Sequence, residues 1–321
     1  MDRLLKETQA YRLIQRESEE NNLSHAYLLL FNDGRNLKKV LTLFATELFG
    51  FQEGDKNGER AKKLIEEGNF ADCLFYPEEG KKLTVDDAEK IREESLLSPI
   101  EGNKKVFVLG DFSEANTQTQ NKLLKLLEEP PQGVVFLLGA TSAFSILPTV
   151  LSRTKKLEIL PFDVKSVTET LVRIYGKKYD KDTLALCAAA SGGIVGEAQN
   201  ILEGGYYKTL SESAFMLCLC ETSRFPLAVK NIGETKYKKE LLSLLRLIFR
   251  DALLIKSGEG LEKSILLSSE KEKLNEVAQK YSLDALLYAQ TAISKAELQV
   301  QFNAVFPQCI EICMANIRAK K

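Results

Sequence analysis

The chain has 321 residues, room for roughly two or three domains, each with its own core. Its 44 lysines and arginines against 45 aspartates and glutamates leave a net charge of -1, so no global field draws it onto a phosphate backbone, and any contact with nucleic acid is local or supplied by partners. A hydrophobic content of 44%, the lack of any apolar run near the about 20 residues of a membrane span, and a charged N-terminus without a signal-peptide core fit a globular, cytoplasmic protein and exclude a fibrous, disordered or membrane-spanning one.

The first 160 residues alternate short apolar runs with helical patterns, which predicts a parallel sheet covered by helices. Strands are expected at 26–31, 105–111, 134–141 and 155–160, the first three as continuous apolar segments of the kind buried on both faces. Helices are expected at 85–98 and 117–131. The second has Leu123, Leu124 and Leu127 on one face and is stopped by Pro130. After Pro161 the strand patterns cease. Short helices follow, broken at Gly176 and at Gly192-Gly193, and they form a small helical domain over 161–205. From Tyr206 onward every apolar pattern is helical: Leu241, Leu245, Ile248, Ala252 and Ile255 make one stripe, and Phe302, Phe306 and Ile310 another, with Pro307 predicted to kink or interrupt that helix. The expected division is therefore 1–160, 161–205 and 206–321.

The run 26–31 leads through Asp33 and Gly34 into a helical pattern, the outline of a phosphate loop. In G-x-x-x-x-G-K-[ST] the glycines let backbone N–H groups close around phosphates and the lysine supplies positive charge. Here Phe31 and Asn36 replace two glycines and Leu37 stands at the lysine position. Lysines are displaced to 38 and 39, and Lys38 could serve only after a shift of one residue. The expectation is a strand, turn and helix retained without nucleotide. The six cysteines (Cys73, Cys187, Cys218, Cys220, Cys309, Cys313) lack zinc-knuckle spacing and read as small core residues, so no metal is expected. His25, the sole histidine, reads as a packing and hydrogen-bonding residue rather than a catalyst.

Three stretches in order, "HAYLLLFNDGRNLKK", "NKLLKLLEEPP" and "ILPTVLSR", resemble the delta-prime family of bacterial DNA polymerase III clamp-loader subunits, within the AAA+ superfamily. The resemblance covers most of the chain, with its specific motifs between residues 24 and 200. It implies an α/β AAA+ fold, a RecA-like parallel sheet with flanking helices, followed by a small helical lid domain and an all-α collar domain. On the second motif strand it places Gly110 where the first acidic residue would fall and Ser113 where another often sits, leaving Asp111. In the lid it places Glu197 where the family carries an arginine. Arg153, followed by Thr154 where the family has cysteine, falls where the superfamily presents an arginine finger to the ATP of a neighbouring subunit. Cys73 alone remains of a four-cysteine zinc module.

The implied protein has no nucleotide cofactor of its own and does not hydrolyse ATP. Its implied partners are gamma/tau-type ATPase subunits, the clamp-opening delta subunit, the sliding clamp indirectly, and primer-template DNA through the assembled complex, with no membrane. Two alternatives stand beside this reading: an ATP-binding motor paralogue working through Lys38, and a dead AAA+ adaptor of another complex.

Overall fold

An apolar run buried on both faces needs a parallel sheet with helices above and below it. The computed structural model of the chain has this arrangement, and it describes residues 1–51, 56–78, 80–232, 235–258 and 264–320. Its contacts fall into two units, Met1–Pro161 and Phe162–Lys321.

The first unit carries strands β1 (Ala26–Phe31), β2 (Cys73–Tyr76), β3 (Lys105–Asp111), β4 (Val134–Ala140) and β5 (Lys155–Ile159). Its helices are α1 (Asp2–Lys6), α2 (Gln9–Glu19), α3 (Leu37–Phe49), α4 (Lys56–Glu66), α5 (Val85–Ser95), α6 (Thr117–Glu128) and α7 (Pro148–Leu151). The strands form one parallel sheet in the order β2-β3-β4-β1-β5. On one face Leu28, Phe107, Phe136 and Leu138 pack with Ile91 of α5 and with Leu123 and Leu127 of α6. On the other, α3 lies across β3 and β4, so close that a Cβ on Gly139 would come within 2.6 Å of Leu41 Cδ1. The N-terminal helix α2 is tied to the sheet by buried Glu17, which accepts from Tyr27 Oη at 2.6 Å and pairs with Lys155.

Four strands lie where the apolar runs put them. The edge strand β2 does not: it has four residues, of which only Cys73 is buried, too short and too mixed to stand out as an apolar run. The expected helix at 85–98 stops at Ser95, and α6 ends before Pro130. His25 is a correction, since its side chain is exposed; its backbone carbonyl accepts from Phe136 N–H at 2.8 Å.

The second unit is helical among its described residues: α8 (Val164–Tyr175), α9 (Lys181–Ala190), α10 (Val195–Gly204), α11 (Tyr207–Leu219), α12 (Phe225–Ile232), α13 (Lys238–Ser257), α14 (Lys271–Lys280), α15 (Leu283–Gln301) and α16 (Phe306–Arg318). Gly192 and Gly193, with φ of +62° and +87°, make the break between α9 and α10. Of the expected stripe, Leu241, Leu245, Ile248 and Ala252 are buried on α13 and Ile255 is half-buried; the helix packs against α9, α11, α14 and α15. The residues expected for lid and collar thus meet within one unit. Asp251 on α13 is wholly buried and accepts from Leu266 and Leu267 N–H, each at 2.9 Å, and from Arg250 Nη1 at 2.8 Å.

The expectation for residues 302–310 is corrected. Phe302 closes α15 and is 83% exposed, while Pro307 sits in the first turn of α16. A proline there loses no intrahelical hydrogen bond and has the right φ, so it starts a helix instead of kinking one.

Candidate functional site

The loop after β1 is closed on itself. Asp33, 3% exposed, accepts from Asn36 N–H at 3.1 Å and from Asn36 Nδ2 at 2.8 Å. A phosphate loop offers N–H donors at a helix N-terminus to a bound anion; here the Asp33 carboxylate takes the N–H of Asn36, the residue before α3. Phe31 and Leu37 are buried in the core and cannot serve as a glycine hinge and a phosphate-binding cation. Lys38 is exposed and lines a cavity of about 510 Å³ with Gly34, Thr42, Tyr76, Gly110 and Asp111. Lys39 pairs with Asp2 at 3.1 Å. The turn thus carries the Asp33 carboxylate on Asn36, with Phe31, Asn36 and Leu37 at the two glycine positions and the lysine position.

The end of β3 is engaged in a hydroxyl network. Asp111 accepts from Ser113 N–H at 3.1 Å, from Thr141 N–H at 3.2 Å and from Thr141 Oγ1 at 2.8 Å, and it also takes the Ser113 hydroxyl. Gly110 precedes it with 3.4 Å between an added Cβ and Pro77 Cδ, so this position supplies close packing and no acid. Asp111 therefore holds the tips of β3 and β4 together. Among the described residues no group of three or more His, Cys, Asp or Glu is placed to hold a metal ion.

Arg153 lies between α7 and β5, its side chain 32% exposed. Nε donates to Glu128 Oε1 at 2.6 Å, Nη2 meets the same carboxylate, and Nη1 donates to Thr149 O at 2.8 Å and Ser152 Oγ at 3.2 Å. The guanidinium borders a surface cavity of about 570 Å³ with Ser24, His25, Glu128, Ser152 and Lys155. Thr154 turns its hydroxyl onto Val150 O at 3.1 Å and leaves the arginine unaffected.

Glu197 sits in the first turn of α10, half-buried, in the second unit. It adds negative charge near Glu240 of α13, whose carboxyl is held above its ordinary pKa, first by burial and further by Glu197, against the opposing effects of its own backbone N–H and of Lys239. The sign follows from linkage. As pH rises from the ordinary glutamate value toward the raised one, the unfolded chain ionises first and the folded state loses stability. Glu240→Gln removes that loss. The variant should melt higher than the parent at pH 7 and show no gain at pH 3, where both states of the parent are protonated; paired thermal melts at the two pH values check it.

Asp33 and Glu128 lie inside two of the quoted stretches and Gln120 immediately before one, yet none of the three has an assigned role there. Asp33, Gln120 and Glu128 were invisible as site residues because the partners of Gln120 and Glu128 lie some 25 residues away in sequence. The proximity of Asp33 to a phosphate-loop position was the one available signal.

Residues 6–163 match a family model described as DNA polymerase III, delta subunit. Over 163 residues the chain is 26% identical to the DNA polymerase III subunit delta' of Bacillus subtilis, covering 50% of each chain. Over 183 residues it is 29% identical to the DNA polymerase III subunit tau/gamma of Haemophilus influenzae, covering 55% of this chain and 26% of that one. The chain thus spans half or less of the length of these relatives. Among solved structures, a gamma subunit-related protein of Thermotoga maritima aligns over 98% of this chain and 99% of its own, at 17% identity and a TM-score of 0.40. The Bacillus subtilis clamp loader delta protein aligns over 96% of this chain and 99% of its own, at 11% identity and a TM-score of 0.36. The sequence matches coincide with the unit that carries the five-stranded sheet, the closed loop and Arg153. The likeness of this chain to the delta and delta' subunits of DNA polymerase III thus lies in its α/β unit.

Proposed function

We propose that the chain is a non-hydrolysing, delta-prime-type subunit of a clamp loader. Its α/β module (1–160), lid (161–205) and collar (206–321) help scaffold a ring with gamma/tau-type ATPase subunits and the clamp-opening delta subunit. In that ring Arg153 faces the ATP of a neighbouring subunit during loading of the sliding clamp at primer-template DNA. The observation that carries this reading is the Asp33 carboxylate on the amide and side-chain donors of Asn36, where a working loop would hold phosphate. The partners' named roles are those of the relatives; for this chain they are part of the proposal.

Two measurements test it together. Calorimetry of the isolated chain with Mg·ATP should give no saturable heat. In the reconstituted ring, Arg153→Ala should leave assembly intact and lower clamp- and DNA-stimulated ATP hydrolysis. A finger supplies about 10³- to 10⁵-fold at the site it serves, so total turnover falls partially if other sites keep their own arginines. Arg153→Lys should rescue poorly, a point charge being unlike a planar fork. Micromolar ATP binding that Lys38→Ala abolishes, or unchanged hydrolysis for Arg153→Ala in a complete ring, overturns the proposal.

A further inference from the structure

An acidic residue in the last turn of a helix is disfavoured by the helix dipole, whose C-terminal end is negative. Glu128 nevertheless ends α6, immediately before Glu129 and Pro130. Its carboxylate is 44% exposed, and an ion pair this open contributes little to stability. The helix gains nothing from Glu128, and the fold little. Its distinctive contact is with the guanidinium of Arg153, where one carboxylate oxygen receives both Nε and Nη2 while Thr149 O and Ser152 Oγ take Nη1.

The same helix holds the other end of this segment. Gln120, 1% exposed, donates to Ala115 O at 3.0 Å and Ser145 O at 2.9 Å and accepts from Leu147 N–H at 2.9 Å. The stretch from Ser145 to Arg153, which contains α7, is thus pinned to α6 at its start by Gln120 and at its end by Glu128. A long, rotamer-rich arginine is thereby fixed in one orientation at the edge of the 570 Å³ cavity before any partner arrives. Fixing a group in advance lowers the entropy lost when it meets developing charge.

We infer that Glu128 is a positioning residue for Arg153: it sets the plane and direction of the guanidinium that the neighbouring subunit's nucleotide meets. This rests on the finger reading above. The Nη2 group has a second N–H that is not needed by Glu128, so the carboxylate can orient the guanidinium while that N–H stays available to phosphate.

The test uses the reconstituted ring with gamma/tau-type ATPase and delta subunits. Four forms of this chain are compared with the parent: Glu128→Met, which keeps volume and removes the acceptor, Glu128→Gln, which keeps an acceptor oxygen, Arg153→Ala, and Glu128→Met with Arg153→Ala. Ring assembly and the unfolding midpoint of the isolated chain are measured for each. The expected result for Glu128→Met is assembly and midpoint close to the parent, with kcat at the served site down by about tenfold and KM for ATP unchanged. Glu128→Gln should recover most of the rate. In the Arg153→Ala background Glu128→Met should lower the rate no further, because the group it orients is gone.

A fall with Arg153→Ala and none with Glu128→Met overturns the positioning role and leaves the finger standing. No fall with Arg153→Ala overturns both. Loss of assembly with Glu128→Met, or an equal further fall in the Arg153→Ala background, makes Glu128 a structural residue and overturns the inference.

Discussion

Asp72→Ala should cost the α/β unit about 3 kcal/mol, taking hydrogen bonds to a charged acceptor at about 1.5 kcal/mol or more each and allowing for water to replace part of the loss. The side chain is wholly buried, and its carboxylate receives Ile100 N–H at 2.7 Å and the N–H groups of Glu101 and Gly102 at 2.8 Å each. Its backbone carbonyl accepts from Val106 N–H at 2.8 Å. One residue therefore anchors the loop that leads into β3 and registers the edge strand β2 beside it. Alanine leaves three donors without their acceptor. Because residues 100–102 are exposed, water can reach them, which keeps the cost below the sum of three bonds. Urea unfolding followed by far-UV circular dichroism measures the loss, and amide exchange at Ile100 and Glu101 should quicken before the rest of the sheet does. An unchanged midpoint would mean that the loop holds its shape without the carboxylate.

Asp251→Ala should have a comparable effect on the helical unit, again about 3 kcal/mol, for a reason that includes charge. Burial pushes the Asp251 carboxyl above its ordinary pKa, against the lowering effects of Leu267 and Leu266 N–H and of Arg250. The charged form is thus poorly solvated while its acceptor role is needed, since Leu267 N–H lies in a buried residue. Asp251→Asn separates the two. It keeps a carbonyl oxygen for the two N–H groups and removes the cost of desolvating a charge, so it should retain most of the stability that alanine loses. Denaturation of the three forms at neutral pH checks the order. Asparagine as damaging as alanine would show that the ion pair with Arg250, not the two backbone bonds, holds the segment.

These polar anchors mark what the sequence could not disclose. β1, β3, β4 and β5 were legible because an apolar run of strand length between turn residues has few other uses, and the stripe on α13 was legible because its spacing matches one helix face. β2 was not, since Cys73 to Tyr76 is short and three of its four residues are half-buried at the edge. The loop at Phe31, Asn36 and Leu37 could be read as lacking glycines and lysine, but a list of missing residues does not say what stands in their place. That Asp33 does so depends on where its carboxylate turns, and that Glu128 meets Arg153 depends on a contact across 25 residues. Local pattern carries the first kind of information and only the fold carries the second. Pro307 was ambiguous for a similar reason: whether a proline breaks a helix or begins one depends on where the preceding helix ends, and that was set by Phe302 to Val305 rather than by the proline.

The closed turn at Asp33 also bears on history. A protein that had merely lost a lysine and two glycines could regain them one at a time. Here Leu37→Lys would pull a buried side chain out of the core, and Asn36→Gly would remove the amide that donates to Asp33 at 2.8 Å. Each of these substitutions costs the turn something, the first a buried side chain and the second a donor to Asp33. On the proposed nucleotide-free function, the internal carboxylate would act as a ratchet, since a return would need Asp33 changed together with Asn36 and Leu37.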